Sequence, residues 1–272
     1  MIELPEALTL AKQLSEAVCG KTVAWVRPPV KVHKFCWFLG EPGAYEARLL
    51  GRRVLSAQGF GIYAELGFEG GRRLCVNDGV NLRLLPEADL PANYQLAIGF
   101  TDGTALVFTV AMYGGIVLHD GDYDNDYYRK SRAAVSPFGG DFRAQFNRTL
   151  ELAKPSLSAK AFLATEQRFP GVGNGTAQDI LFAAGLRPKC KLGTLDGTDI
   201  ERLHQAIPDV LGEMTRLGGR DTEKDLYGQP GGYITKMSKN ALSAGCPVCG
   251  GPVTKESYLG GSVYYCPHCQ RA

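Results

Sequence analysis

Four cysteines crowd the last 27 residues of the 272-residue chain: Cys246, Cys249, Cys266 and Cys269, two Cys-x2-Cys pairs with sixteen residues between them. Two such knuckles at the ends of a hairpin supply four thiolates in a closed tetrahedron, the geometry of structural zinc, with iron as the alternative. Four protein ligands leave no open position for water, so the metal is expected to hold structure and not to do chemistry. His268 is surplus to the tetrahedron. Pro252–Val253 and Val263–Tyr265 are the expected strands, with the turn near Gly260–Gly261. Cys19, Cys36, Cys75 and Cys190 are scattered and read as small buried thiols.

A second constellation is rich in glycine. In Arg168-Phe-Pro-Gly-Val-Gly-Asn-Gly-Thr-Ala177, Gly171, Gly173 and Gly175 let the backbone approach a partner closely and present N–H groups at the start of the next helix. A phosphate is the natural anion for such a helix start. Asn174 adds a side chain that bonds phosphate, and Lys160 adds charge one helix earlier. The string also resembles a helix-hairpin-helix, and the plain alternative is a turn between antiparallel helices. A third constellation is Glu3 and Glu6 at the start of the first helix. Read from the residues alone, they are first-turn acids favoured by the helix dipole.

Apolar residues at Leu4, Ala7, Leu8, Ala11, Leu14, Ala17 and Val18 predict a helix over 4–19, stopped by Gly20. From Lys21 to about His119 the texture turns to short strand-like runs: Thr22–Val26, Tyr45–Leu50, Ile62–Phe68, Arg73–Val76, Asn81–Leu85, Tyr94–Phe100 and Ala105–Val110. Strands without intervening helices predict a sandwich or barrel. Helical periodicity follows over Phe142–Leu152, Ser158–Gln167, Thr176–Ala184 and Asp196–Leu211. Gly218–Asn240 reads as a mobile loop. The expected division is therefore residues 1–120 for helix and sandwich, 121–141 as linker, 142–240 as helical domain and 241–272 as metal module.

Three of these features, in this order and at these separations, resemble one family. Glu3-Leu4-Pro5-Glu6, Gly171-Val172-Gly173-Asn174 and the terminal Cys-x2-Cys-x16-Cys-x2-Cys are together similar to the Fpg/Nei family, formamidopyrimidine-DNA glycosylase and endonuclease VIII. The resemblance spans essentially the whole chain. It implies an α+β fold: an N-terminal helix on a two-layered β-sandwich, a helix-two-turn-helix domain and a zinc-finger hairpin. It implies damaged duplex DNA as partner, with Lys160, Gly173, Asn174 and Gly175 at the phosphates beside the lesion, a 218–233 loop capping a flipped base, and Lys236 and Lys239 as further phosphate contacts. Flipping is needed because the glycosidic carbon is unreachable inside a duplex.

The resemblance also exposes departures. The family's nucleophile is a proline directly after the initiator methionine, and here that position is Ile2. Its hairpin lysine falls on Ile62, its arginine-phenylalanine wedge on Met112 and Tyr113, and its zinc-finger arginine on Gly261. Met1 offers the remaining α-amine. Glu3, with Glu6 in support, would then activate water or protonate the sugar, giving a hydrolytic glycosylase without the strand-cutting lyase step. A catalytically silent lesion binder is the alternative, and an RNA- or protein-binding zinc ribbon a third, which leaves the N-terminal motif unexplained.

With Lys+Arg 30 against Asp+Glu 28 and hydrophobic residues at 44%, the chain has the composition of a folded globular protein, not of a disordered or collagenous one. Gly 34, about one residue in eight, predicts many tight turns. No apolar run reaches membrane-spanning length and the acidic start is no signal peptide, so a soluble cytoplasmic protein is expected; the family resemblance implies a monomer associated with nucleoid DNA.

Overall fold

The computed structural model describes residues 1–271. Helix α1 (Leu4–Val18) starts at Glu3, whose N–H donates to Glu6 Oε2 at 3.1 Å and whose carbonyl accepts from the Ala7 N–H. Its buried stripe of Ala7, Leu10, Leu14 and Val18 lies against the sheets that follow.

The strands β1 (Val23–Arg27) and β2 (Cys36–Phe38) precede a short helix α2 (Tyr45–Leu49), where an extended run was expected. Tyr45 and Leu49 are both buried, which is the i, i+4 spacing of a helix, and six residues cannot separate that from alternation. The remaining strands are β3 (Val54–Phe60), β4 (Tyr63–Phe68), β5 (Arg73–Asn77), β6 (Val80–Pro86), β7 (Leu96–Phe100), β8 (Thr104–Val110) and β9 (Gly114–His119). They form two layers, ordered β1-β7-β8-β6 and β2-β9-β5-β4-β3. Pairing is antiparallel except for β2 on β9, where Cys36 faces Gly114. Leu66, Phe68, Leu74, Val76, Ile98, Leu106, Phe108, Ile116 and Leu118 share one core with α1. The chain passes from one layer to the other between β5 and β6 through the two residues Asp78 and Gly79.

The expected linker contains helix α3 (Asp126–Arg132), capped by the Asn125 side chain, which accepts from the Tyr128 N–H at 3.0 Å. The helix is pinned to the sandwich through buried Glu65: the Tyr128 hydroxyl donates to it at 2.5 Å and Arg132 Nη1 at 2.9 Å. Tyr128 also packs edge-on against Tyr63 and His119.

The helical half comprises α4 (Phe142–Glu151), α5 (Ala159–Ala164), α6 (Asn174–Ala183) and α7 (Gly197–Arg216). Helix α5 ends sooner than expected because Glu166 and Gln167 take left-handed backbone angles, φ 58° and 54°. Phe142, Phe146, Phe162, Phe169 and Ile207 centre its core, and Leu4 of α1 joins it.

Residues 218–240 correct the expectation of a mobile loop. Arg220, Leu226 and Tyr233 are buried, Leu226 within the sandwich core and Tyr233 within the helical one. The segment is a strap across both halves. It leads to a short α8 (Ala241–Ala244) and the hairpin β10 (Thr254–Tyr258) with β11 (Gly261–Tyr265), turning at Leu259–Gly260. Tyr264 N–H donates to Gln178 Oε1 at 2.6 Å, fixing the hairpin to α6. Among the described residues, no helix is long and apolar enough to cross a membrane.

Candidate functional site

The sandwich, the glycine turn and the tip of the terminal hairpin converge on a cleft of about 830 Å³. Met1, Glu3, Asp78, Met112, Tyr113, Lys160 and Asn174 line it, with Ile62, Trp37, Tyr63, Tyr123 and Tyr127 as further walls. The sequence places these residues far apart; the fold brings them together because α1 enters the interface between the two cores at its first residues.

Glu3 is almost fully buried and its carboxylate accepts four hydrogen bonds. Oε1 takes the Gly175 N–H at 2.9 Å and Arg220 Nη1 at 3.2 Å. Oε2 takes the Gly173 N–H at 3.1 Å and the Thr176 N–H at 2.8 Å. Burial alone would raise its pKa; the charge of Arg220 and the hydrogen bonds from Thr176 and Gly175 outweigh this and hold it below the ordinary carboxylate value. With four donors on its two oxygens, Glu3 is held as an oriented anion in this structure. The N–H groups of Gly173 and Gly175, expected at phosphates, are turned to Glu3 here, while the Asn174 side chain stands at the cleft.

The same geometry explains the glycines. A Cβ on Gly173 would stand 2.6 Å from Glu3 Cδ, and one on Gly175 only 1.5 Å from Arg220 Nη1. The turn is glycine-rich so that a carboxylate and a guanidinium can be set against the first turn of α6.

Glu6 lies behind Glu3, outside the cleft. Arg220 Nε and Nη2 grip its two oxygens at 2.9 and 2.7 Å, and the Arg220 backbone N–H adds a third bond at 3.1 Å. Arg220 Nη2 also donates to the Met1 carbonyl at 3.0 Å. Glu6 therefore anchors Arg220, the residue that in turn bonds Glu3. The Met1 α-amine lines the cleft but is ion-paired with Glu223.

Lys160 Nζ donates to the Tyr258 carbonyl at 2.7 Å, and Asn174 Nδ2 to the Ser262 carbonyl at 3.1 Å. Burial lowers the Lys160 pKa. Both side chains thus meet the terminal hairpin at the cleft mouth, where Gly261 adds no side chain. Ile62 sits in the turn joining β3 to β4 and presents no amine. Met112 is well exposed, and Tyr113 stands beside Trp37 with ring centroids 6.2 Å apart. Lys236 and Lys239 lie outside the cleft; the Lys236 backbone N–H donates to Asp179 at 2.8 Å. Residues 218–225, the start of the expected lesion cap, pack behind α1 at Glu6, Thr9 and Leu10, and Glu223 reaches the Met1 amine at the cleft edge.

Cys246, Cys249, Cys266 and Cys269 lie within 4.8 Å of one another at sulfur. Cys246–Cys269 at 3.8 Å and Cys249–Cys266 at 3.5 Å match the ~3.8 Å edge of a tetrahedron with metal–sulfur bonds of about 2.3 Å. The donor set fits zinc.

Sequence reasoning missed Arg220 and Asp78. Arg220 lay inside a glycine-rich stretch with no periodicity, and Asp78-Gly79 reads as an ordinary turn dipeptide.

A two-layered sandwich, a helical domain and a four-cysteine hairpin around one cleft define a class of protein, and the comparisons agree. No family model matches. The formamidopyrimidine-DNA glycosylase of Halorhodospira halophila is 30% identical over 278 residues, covering 100% of both chains. That of Thermus thermophilus is 30% identical over 283 residues, covering 99% of this chain and 98% of the relative. Among solved structures, the Fpg protein from Thermus thermophilus superposes with a TM-score of 0.78 at 27% identity over 98% of each chain. The Lactococcus lactis Fpg bound to abasic-site DNA superposes with a TM-score of 0.83 at 20% identity over 99% of this chain and 100% of that one, a likeness of fold. The chain belongs to the Fpg/Nei family.

Proposed function

We propose that the protein is a DNA N-glycosylase of base excision repair, which binds damaged duplex DNA, flips the damaged base into the cleft and hydrolyses its N-glycosidic bond. The observation that carries this reading is the fixed anion of Glu3 at one wall of a cleft large enough for a nucleoside. A sugar losing its base develops positive charge, and an oriented buried carboxylate stabilises it without having to reorganise. The relatives of H. halophila and T. thermophilus named for this activity support the reading, and so does the L. lactis protein solved with abasic-site DNA.

In this proposal Lys160 and Asn174 take phosphates beside the lesion, exchanging their present hairpin carbonyls for phosphate oxygens. Met112 and Tyr113 fill the stack that the flipped base leaves. Lys236 and Lys239, outside the cleft, reach only flanking phosphates. Zinc on the four thiolates holds the hairpin against α6. The protein works as a monomer in the cytoplasm, on nucleoid DNA. It performs no Schiff-base lyase step, because the Met1 amine is engaged by Glu223 and Ile62 supplies no amine.

A second reading, a silent lesion-binding protein, is favoured by those same missing amines. Duplexes carrying oxidised, alkylated and cross-linked bases separate the two. Alkali-labile sites without borohydride-trapped protein establish the hydrolase. Tight binding to an abasic-analogue duplex with no base release from any substrate establishes the silent binder. Absence of preference for damaged duplex over intact duplex and RNA defeats both.

A further inference from the structure

We propose that Asp78 is the catalytic base of this glycosylase, the group that takes the proton from the water attacking C1′ of the flipped nucleotide. The inference rests on the hydrolase reading above and assigns the residue that carries it.

Two carboxylates line the cleft, Glu3 and Asp78. Glu3 has its acceptor sites filled by three backbone N–H groups and Arg220. The Asp78 carboxylate receives no hydrogen bond from any described residue, although it is half-buried. A carboxylate in that state is free to bind and deprotonate a water. It is also rigidly placed. Asp78 occupies the two-residue crossing from β5 to β6, and its carbonyl accepts the Ile2 N–H at 2.6 Å, tying it to the residue before Glu3.

A turn does not require this side chain. Asp78 adopts φ 55°, a conformation that asparagine or glycine also takes readily. A turn-forming aspartate ordinarily accepts a local backbone N–H, and this one accepts none.

Burial pushes the Asp78 pKa up to about 6, with the Met1 amine pulling modestly the other way. A base tuned toward neutrality is both largely ionised at pH 7 and strong enough to take a proton. The groups facing it are the Met1 amine with its Glu223 partner, Glu3, and the hydroxyls of Tyr63 and Tyr113, whose pKa values Asp78 helps to raise.

The step balances without a further reactant. The water oxygen bonds to C1′ as the C1′–N bond breaks, and that bond's electron pair leaves with the base. The proton released from water passes to Asp78 and then to the departing base nitrogen. The products are the abasic sugar, with a hydroxyl at C1′, and the free base. The anion of Glu3 faces the transient charge on the sugar.

The experiment compares wild type with Asp78→Asn, which keeps the backbone conformation and the Ile2 contact, using the duplex on which wild type is most active. Single-turnover base release is expected to fall about 10²- to 10⁴-fold. The Kd for a tetrahydrofuran-containing duplex should stay within about threefold. As an internal measurement independent of the variant's folding, the wild-type rate should rise with pH through about 6, and Asp78→Asn should lack that limb. Base release by Asp78→Asn at more than about one-third of the wild-type rate overturns the assignment and leaves the glycosylase reading intact. A wild-type rate independent of pH from 5 to 8, or trapping of wild type by borohydride, does the same. Wild type that binds the tetrahydrofuran duplex yet releases no base overturns the glycosylase reading itself and takes this assignment with it.

Discussion

Replacing Arg220 with methionine removes the single guanidinium that neutralises two buried carboxylates. Arg220 is 3% exposed; Glu3 and Glu6 are 4% and 6% exposed. Arg220→Met keeps an unbranched apolar stem and removes the guanidinium with its hydrogen bonds to Glu3, Glu6 and the Met1 carbonyl. Deleting one partner of a buried ion pair costs about 3–5 kcal/mol, because the charge left behind has lost both solvent and counter-ion. Some of this is offset, since Glu3 keeps the N–H donors of Gly173, Gly175 and Thr176. The lower part of the range is therefore expected, about 3 kcal/mol, or a fall in Tm of about 6–12 °C at 2–4 °C per kcal/mol. The pH dependence gives the sharper check. In wild type the Glu3 pKa is held below its ordinary 4.5, so this carboxylate contributes stability above that pH and loses it as pH falls through the folded value. Without Arg220 the strongest influence lowering the Glu3 pKa is gone, so Glu3 takes up a proton at higher pH than in wild type, relieving the variant. The gap between the two proteins should be widest near pH 7 and close as pH approaches 4.5. Urea unfolding at both pH values measures it. A loss under about 1 kcal/mol at pH 7, or a gap that does not narrow, refutes the clamp.

Three further outcomes are expected. Cys266→Ser should lose the bound metal, read by native mass spectrometry, and weaken DNA binding, because the hairpin that meets Lys160 and Asn174 depends on that tetrahedron. Lys160→Ala should weaken binding to all duplexes alike and reduce the slope of log K against log salt by about 0.9, one phosphate contact, measured by anisotropy titration. Tyr128→Phe removes the hydroxyl that donates to buried Glu65 and should cost about 1.5–3 kcal/mol in urea unfolding, the range for a hydrogen bond to a charged group.

Long periodic segments were legible. The helix expected over 4–19 is α1 at Leu4–Val18, and the runs Asn81–Leu85 and Ala105–Val110 lie within β6 and β8. Short or two-faced segments were not. Tyr45–Leu50 satisfied two periodicities at once, and α3 is a two-turn helix whose identity comes from Glu65, about sixty residues earlier. For the site, the cysteine spacing contained its own geometry, and the Glu3 motif and glycine turn could each be found by composition. Their relation could not. Nothing in Gly173-Asn-Gly-Thr176 says whether its N–H groups will meet a phosphate or a carboxylate; that depends on where α1 begins relative to α6, which is a tertiary fact.

That relation changes how the missing proline is to be understood. Glu3, the glycine turn and Arg220 form one closed unit, in which each glycine makes room for a charge and each charge is satisfied by the others. A substitution inside the unit, such as Gly175→Ala, forces Arg220 out and unpairs two carboxylates. Substitutions at Ile2, Ile62 or Met112 lie at its edges and leave every one of its hydrogen bonds in place. The architecture can therefore retain an anion aimed at the cleft while the amine chemistry around it changes. A water molecule then becomes the natural nucleophile, provided a second, unfilled carboxylate stands close by, and Asp78 is the residue in that position.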